Sequence, residues 1–152
     1  MNMVDVGQKE TTAREAIVTG RVILKPSVVS LVRNNKIPKG NVLEAAKLAG
    51  ILAAKKTPLI IPLCHPIPID HIGVEFSFGR NEVRIKTTVR GKARTGVEME
   101  ALTATAVAAL TVYDMCKPLD KGITISDIQL IKKTGGKSGV YVRAKREKTV
   151  YG

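Results

Sequence analysis

Asp114 and Lys117 stand three residues apart in TVYDMCKP, at the end of the longest helical pattern in the chain. That spacing puts them on neighbouring positions of one helix face. An ammonium group suits a helix C-terminus, whereas an aspartate there faces the negative pole, which disfavours its ionised form. A carboxylate in a poor electrostatic position beside an ammonium is a candidate acid/base pair. The same spacing also fits a lysine cap with an incidental surface aspartate, and spacing alone does not choose between the two.

A second group of reactive types falls in LIIPLCHPIPIDH, which carries Cys64, His65, Asp70 and His71. A zinc site wants three or four ligands at recognisable spacing, and there is no CxxC or HExxH, so no metal site is expected. His65, held between Cys64 and Pro66, reads as a polar contact or proton shuttle, or else as a core histidine satisfied by a carbonyl. Cys64 and Cys116 read as buried small hydrophobes. Further on, KTGGKSG ends like a phosphate loop. A Walker A loop needs glycine where Ile131 stands and a helix afterwards, so the nucleoside-triphosphatase reading fails. What survives is weaker: glycines let backbone N–H groups approach an anion, with Lys133 and Lys137 to neutralise it, or the loop is an ordinary flexible hairpin. GKSG also satisfies GXXG, but a KH clamp lies between helices.

These residues need elements to hold them. Thr95 and Glu98 have capping-box spacing and open the long helix, with Glu98 and Glu100 in its first turn and Pro118 ending it. Between them Val97, Leu102, Ala104, Val107, Ala108 and Leu110 leave almost no polar face, so the helix is expected against a sheet and against another subunit. Residues 13–24 read as a strand with Gly20 at a bulge, and Pro26 opens a short helix. Asn41 and Glu44 cap a stronger helix whose Lys55 and Lys56 lie in the last turn before Pro58. Gly50 within it implies a close helix contact. The proline passage reads as irregular and largely buried. Val74, Phe76 and Phe78, a turn at residues 79–82, then Val83, Ile85, Thr87 and Val89 form a hairpin with one packed face and one cationic face. Residues 123–131 and 140–144 are two further strands. The order is that of an α+β two-layer sandwich, an antiparallel sheet with helices on one face. It is a single domain over residues 13–146, with a mobile segment at 1–12 and a frayed tail at 147–152.

At 152 residues the chain has room for one workable core, and with 3% aromatics and no tryptophan that core is aliphatic. No apolar run reaches the ~20 residues that span a bilayer, and the first residues carry no signal core, so the cytosol is expected. The net charge of +12 is uneven: residues 80–94 hold six cations against Glu82 alone. That favours an anionic partner, although a general composition bias gives the same count. A single-strand nucleic-acid binder would interleave exposed aromatics with the cations, whereas Phe76 and Phe78 are expected in the core. A pocket is favoured over a nucleic-acid groove.

The motifs MVDV, Lys39–Gly40, AAK ending at Lys55, IPLCHP, ARTGVEMEALTA, AALTVYDMCK and GGKSG together resemble the MoaC family, the cyclic pyranopterin monophosphate synthases of molybdenum cofactor biosynthesis. The likeness runs from Met3 to Gly139. It implies a ferredoxin-like fold and a hexamer, a trimer of dimers, with the active site between subunits. It also implies conversion of 3′,8-cyclo-7,8-dihydro-GTP, made by a radical SAM cyclase, to cyclic pyranopterin monophosphate and pyrophosphate. By the resemblance Asp114 and Lys117 are the catalytic pair, and Arg14, Lys39, Lys55, Cys64, His65, Glu98, Met99, Glu100 and Lys137 lie around the substrate. No tightly bound cofactor is implied, and magnesium would ride on the substrate phosphates. Asn41 stands where many relatives have aspartate, and Arg94 where they have lysine; both changes keep the local chemistry.

Overall fold

Val18 and Val22 are fully buried while Thr19 and Arg21 between them are half-buried, so the first strand, β1 (Thr12–Ile23), packs one face and leaves the other open. The same alternation runs through β3 (Glu82–Ala93), where Val83, Ile85, Thr87 and Val89 are buried and Arg84, Lys86, Arg90 and Lys92 are exposed. In this computed structural model, which describes residues 1–144, the elements follow as β1, α1 (Pro26–Arg33), α2 (Val42–Ile60), β2 (Ile69–Phe78), β3, α3 (Glu98–Cys116), β4 (Thr124–Thr134) and β5 (Tyr141–Val142). The sheet order is β2-β3-β1-β4-β5, every pair antiparallel. Helices α2 and α3 cover one face. This is the expected ferredoxin-like α+β sandwich, with β5 added at one edge. The tail at 147–152 lies outside the described residues.

Small residues let the layers approach closely. Ala101, Ala104, Ala108 and Ala109 of α3 are 0% exposed. A Cβ on Gly50 would lie 3.1 Å from the Ala104 carbonyl and 3.5 Å from Ala108 Cβ, so the glycine does mark the α2–α3 contact. Thr105 of α3 donates its hydroxyl hydrogen bond to Ala101 O or meets Thr87 Oγ1 of β3, both at 2.9 Å, so this buried polar pair is satisfied. Phe76 and Phe78 pack against the main cluster, as their alternation implied. Gly20 does sit at a bulge, but the extra residue belongs to β4: Thr19 pairs with Gln129 and Arg21 with Ser126, and Asp127 between them has φ 54°. No helix among the described residues is long and apolar enough to cross a membrane.

Several local expectations are corrected. The N-cap of α3 is Val97, with no side-chain cap, so Thr95 and Glu98 form no capping box. The Glu98 carboxylate instead reaches Lys133, 3.6 Å away on β4, and a tertiary partner has outcompeted the local one. Asn41 does cap α2, its Oδ1 accepting the Glu44 N–H at 3.1 Å. That helix does not stop before Pro58, however, but runs on to Ile60. Proline costs an interior helix one backbone bond and a steric clash; placed in the final turn, it ends few further bonds. Lys55 and Lys56 are therefore not in the last turn. The proline passage is irregular over residues 61–68 but not largely buried, because Pro62, Leu63, Pro66 and Pro68 are exposed in the single chain.

Candidate active site

Helix α3 carries charge at both ends, and the structure builds a separate constellation at each. At its C-terminal end Lys117 is the C-cap residue, its N–H bonded to Tyr113 O at 2.9 Å. Its Nζ lies 3.0 Å from Asp114 Oδ1. Lys39 comes from the turn that joins α1 to α2, closed by the Gly40 N–H to Ile37 O bond at 3.0 Å. Gly40 has φ 120°, a conformation that resists any side chain. Lys39 Nζ donates to Asp114 O at 2.8 Å and stands 3.5 Å from Asp114 Oδ2.

The electrostatics at Asp114 reverse the sequence expectation. The Lys117 hydrogen bond, then the nearby Lys39 and Lys117 charges, hold its carboxyl below the usual aspartate range. Two ammonium groups at hydrogen-bonding distance outweigh the partial charge of a helix end. The arrangement is a carboxylate whose ionised form is favoured by two ammonium groups, one at each oxygen. Beneath it, burial pushes the Cys116 thiol up to about 11, with the Asp120 charge adding to the effect. Cys116 is thus a core residue, as its type suggested.

The N-terminal end of α3 floors a cavity of about 250 Å³. Cys64 and His65 from the proline passage, Glu98, Met99 and Glu100 from α3, and Val4, Val6 and Lys9 from the chain start line it. Glu100 is 2% exposed, and its Oε2 meets no hydrogen-bond partner among the described residues. Burial raises its pKa, and the Glu98 charge adds to the rise against an opposing backbone hydrogen bond. Cys64 is not a buried hydrophobe but a half-buried wall residue, its thiol pKa raised by burial and then by Glu100 and Glu98.

A smaller adjoining cavity, about 170 Å³, shares Lys9, Thr95, Gly96 and Glu98 and adds Arg14, Lys133, Gly135 and Ser138. Here the GGKSG loop closes against β1: Gly135, at φ 102°, passes so near the Ala13 carbonyl that no Cβ fits. Arg14 Nε donates to Ala93 O at 3.4 Å. Lys137 is exposed on the same loop but does not line the cavity. Lys55 faces a neighbouring groove of about 470 Å³ with Ile67, Asp70 and His71.

The structure therefore gathers Lys39, Asp114 and Lys117 in one place and Arg14, Cys64, His65, Glu98, Met99 and Glu100 in another, with Lys55 and Lys137 flanking the second. Sequence reasoning missed Lys9 and the Lys133–Glu98 pairing, and gave Thr95 a capping role rather than a place in the cavity wall. Lys9 lies in a stretch without periodicity, and the pairing joins two distant elements. The cavity of about 460 Å³ on the open sheet face, lined by Arg21, Arg84, Lys86 and Asp127, contains none of the expected residues. Its arginines are occupied by Glu82 and Asp127.

Comparison with known proteins follows the same residues. The MoaC family profile matches residues 3–136. A cyclic pyranopterin monophosphate synthase from Chloroflexus aurantiacus is 52% identical over 143 residues, covering 93% of this chain and 88% of the relative. One from Desulfatibacillum aliphaticivorans is 52% identical over 145 residues, covering 93% of this chain and 91% of the relative. One from Streptomyces coelicolor is 52% identical over 142 residues, covering 93% and 84%. With a family match through nearly every element that carries the two constellations, and relatives half identical along almost the whole length, the chain belongs to the MoaC family.

Proposed function

We propose that this chain is a cyclic pyranopterin monophosphate synthase, a lyase that converts 3′,8-cyclo-7,8-dihydro-GTP into cyclic pyranopterin monophosphate with release of pyrophosphate. The observation that carries the reading is the Asp114 carboxylate held between the Lys117 and Lys39 ammonium groups, in a chain of this family. The reaction opens the purine-derived ring, rebuilds it as a pterin and closes a cyclic phosphate, in which a sugar-derived hydroxyl displaces pyrophosphate from the α-phosphorus. It needs protons moved at nitrogen, carbon and oxygen, and positive charge where pyrophosphate leaves. Asp114 and Lys117 serve the first need. Arg14, Lys133 and Lys137, grouped by the GGKSG loop, serve the second. Cys64, His65, Met99 and the two glutamates form the wall against which the ring system lies. Glu98 and Glu100 are acceptors for the N–H groups of a guanine-derived ring.

Within one chain the two constellations occupy opposite ends of α3, about 24 Å apart along the axis from Glu98 to Asp114 at 1.5 Å per residue. The reading takes the complete site to form between subunits, the Asp114 end of one chain facing the cavity of another, in a hexamer arranged as a trimer of dimers. Exposed Leu110 on α3, with Leu48 and Leu52 on α2, supplies apolar surface for such contacts. The substrate would come from a radical SAM cyclase in the cytosol. The protein carries no cofactor of its own in this reading, and magnesium would enter on the substrate's triphosphate. Incubation with the cyclised nucleotide tests the proposal: pterin product and pyrophosphate should appear together, one for one. Saturable binding of the nucleotide without either product would overturn it.

A further inference from the structure

Asp120 lies three residues beyond Lys117 and lines neither constellation, yet it is only 5% exposed. Its Oδ1 accepts the Gly122 N–H at 2.9 Å, a turn within the loop between α3 and β4. Its Oδ2 accepts the Lys25 N–H at 2.8 Å, across 95 positions of chain. Lys25 precedes α1, a helix whose N-terminus has no side-chain cap of its own. A buried carboxylate that accepts two backbone N–H bonds is a strong, directional tie.

What the tie joins is the point. Backward from Asp120 the chain passes through Pro118 to Lys117, the C-cap of α3. Forward from Lys25 it runs through α1 into the turn that presents Lys39 to Asp114. Asp120 thus clamps together the two segments whose separate cations converge on one carboxylate. The residues around it offer little else to hold the loop, since Lys117, Pro118, Leu119, Lys121 and Gly122 are all exposed.

We propose that Asp120 is a positioning residue for the reaction, holding the exit of α3 against the start of α1 so that Lys117 and Lys39 reach the Asp114 carboxylate together. The proposal rests on the reading of Asp114 and Lys117 as the reacting groups. It predicts an effect on turnover per folded molecule, which a purely structural tie would not show.

The test measures kcat and KM for Asp120→Asn, Lys25→Pro, Lys117→Ala and the Lys117→Ala, Asp120→Asn double variant, each normalised to correctly assembled protein by sedimentation. Asparagine turns an N–H donor toward one of the two backbone donors and so breaks one bond. Lys25 has φ −57°, already the proline value, so Lys25→Pro keeps the local backbone conformation while removing the donor and placing its ring against the Asp120 carboxylate, which forces the tie apart. Each should lower kcat by about 10- to 100-fold with KM changed less than about threefold, the scale of a small displacement of a catalytic group. In the Lys117→Ala background, Asp120→Asn should cost less than about threefold more, because residues acting through one group are not additive. Wild-type kcat per folded molecule in Lys25→Pro would overturn the proposal, and that variant decides alone if Asp120→Asn does not fold. So would full multiplication of the two losses in the double variant. Wild-type turnover by Lys117→Ala itself would remove the underlying reading of Lys117, a result visible before Asp120 is considered.

Discussion

Lys39 donates its ammonium hydrogen bond to the main-chain carbonyl of Asp114 at 2.8 Å, while its Nζ lies 3.5 Å from the carboxylate of the same residue. One side chain, arriving from 75 positions away, therefore satisfies an orphan carbonyl at the end of α3 and half-neutralises the acid beside it. Lys117 approaches the other carboxylate oxygen at 3.0 Å. These groups are more than one-third exposed, so their value lies in setting protonation states and geometry more than in stability.

Alanine in place of Asp114 or Lys117 should cost about 10²–10⁴-fold in turnover, the usual scale for a positioned proton-transfer group. The double variant should lose much less than the product of the two losses. Lys117→Arg is the sharper measurement, since arginine keeps the charge but does not readily release a proton. A large loss with assembly and ligand binding intact would mark Lys117 as a proton donor. Near-wild-type turnover would mark it as a fixed charge.

Glu100 should make stability pH-dependent in a direction opposite to most carboxylates. Its folded-state pKa is raised, chiefly by burial, so the folded protein holds the proton more tightly than the unfolded chain. Its favourable contribution is fully present below the ordinary glutamate value and is lost as pH rises through the raised one. Glu100→Gln should flatten that slope and be the more stable protein near neutrality, while losing activity. Urea titrations on both sides of the window, scored by midpoint, check it; an unchanged pH slope would show that the carboxylate is satisfied by something else.

Two inactive proteins should rescue each other if the site is shared between subunits. Lys117→Ala damages the Asp114 end and Glu100→Gln the cavity end, so a mixed oligomer contains some sites with both ends intact. Unfolding and reassembling the two together should restore turnover that neither has alone. No recovery in demonstrably mixed oligomers would place both ends of the site in one chain.

Lys137→Ala should weaken binding of a guanine triphosphate analogue by about tenfold, within the range of a charge-assisted contact partly screened by water. Calorimetric titration at two salt concentrations checks this. Equal affinity in variant and wild type would assign phosphate binding to Arg14 and Lys133 alone.

How far each feature could be read ahead of the structure depended on how local its cause was. The strand at β1, the alternation of β3, the Asn41 cap, the Pro26 start and the Gly50 contact were all legible, because each follows from neighbours a few residues apart. The capping box at Thr95 was locally just as plausible and failed, since Glu98 found Lys133 instead. The ionisation of Asp114 was misjudged because helix position argued one way, whereas the Lys117 hydrogen bond, reinforced by the Lys39 charge from another element, reversed it.

By itself, then, the sequence determined the order of elements, the faces they bury and, through long motifs such as IPLCHP and TGVEMEAL, the family. Periodicity and motif spacing are properties of adjacent residues, and adjacent residues are what a sequence displays. It took the packed layers to bring Lys39 onto Asp114, to bury Glu100 beside the cavity, to tie α3 to α1 through Asp120, and to set the two constellations at opposite ends of one helix. Those outcomes depend on how packed layers bring distant segments within a few ångströms, and small residues at Gly20, Gly50 and the α3 alanines set that approach.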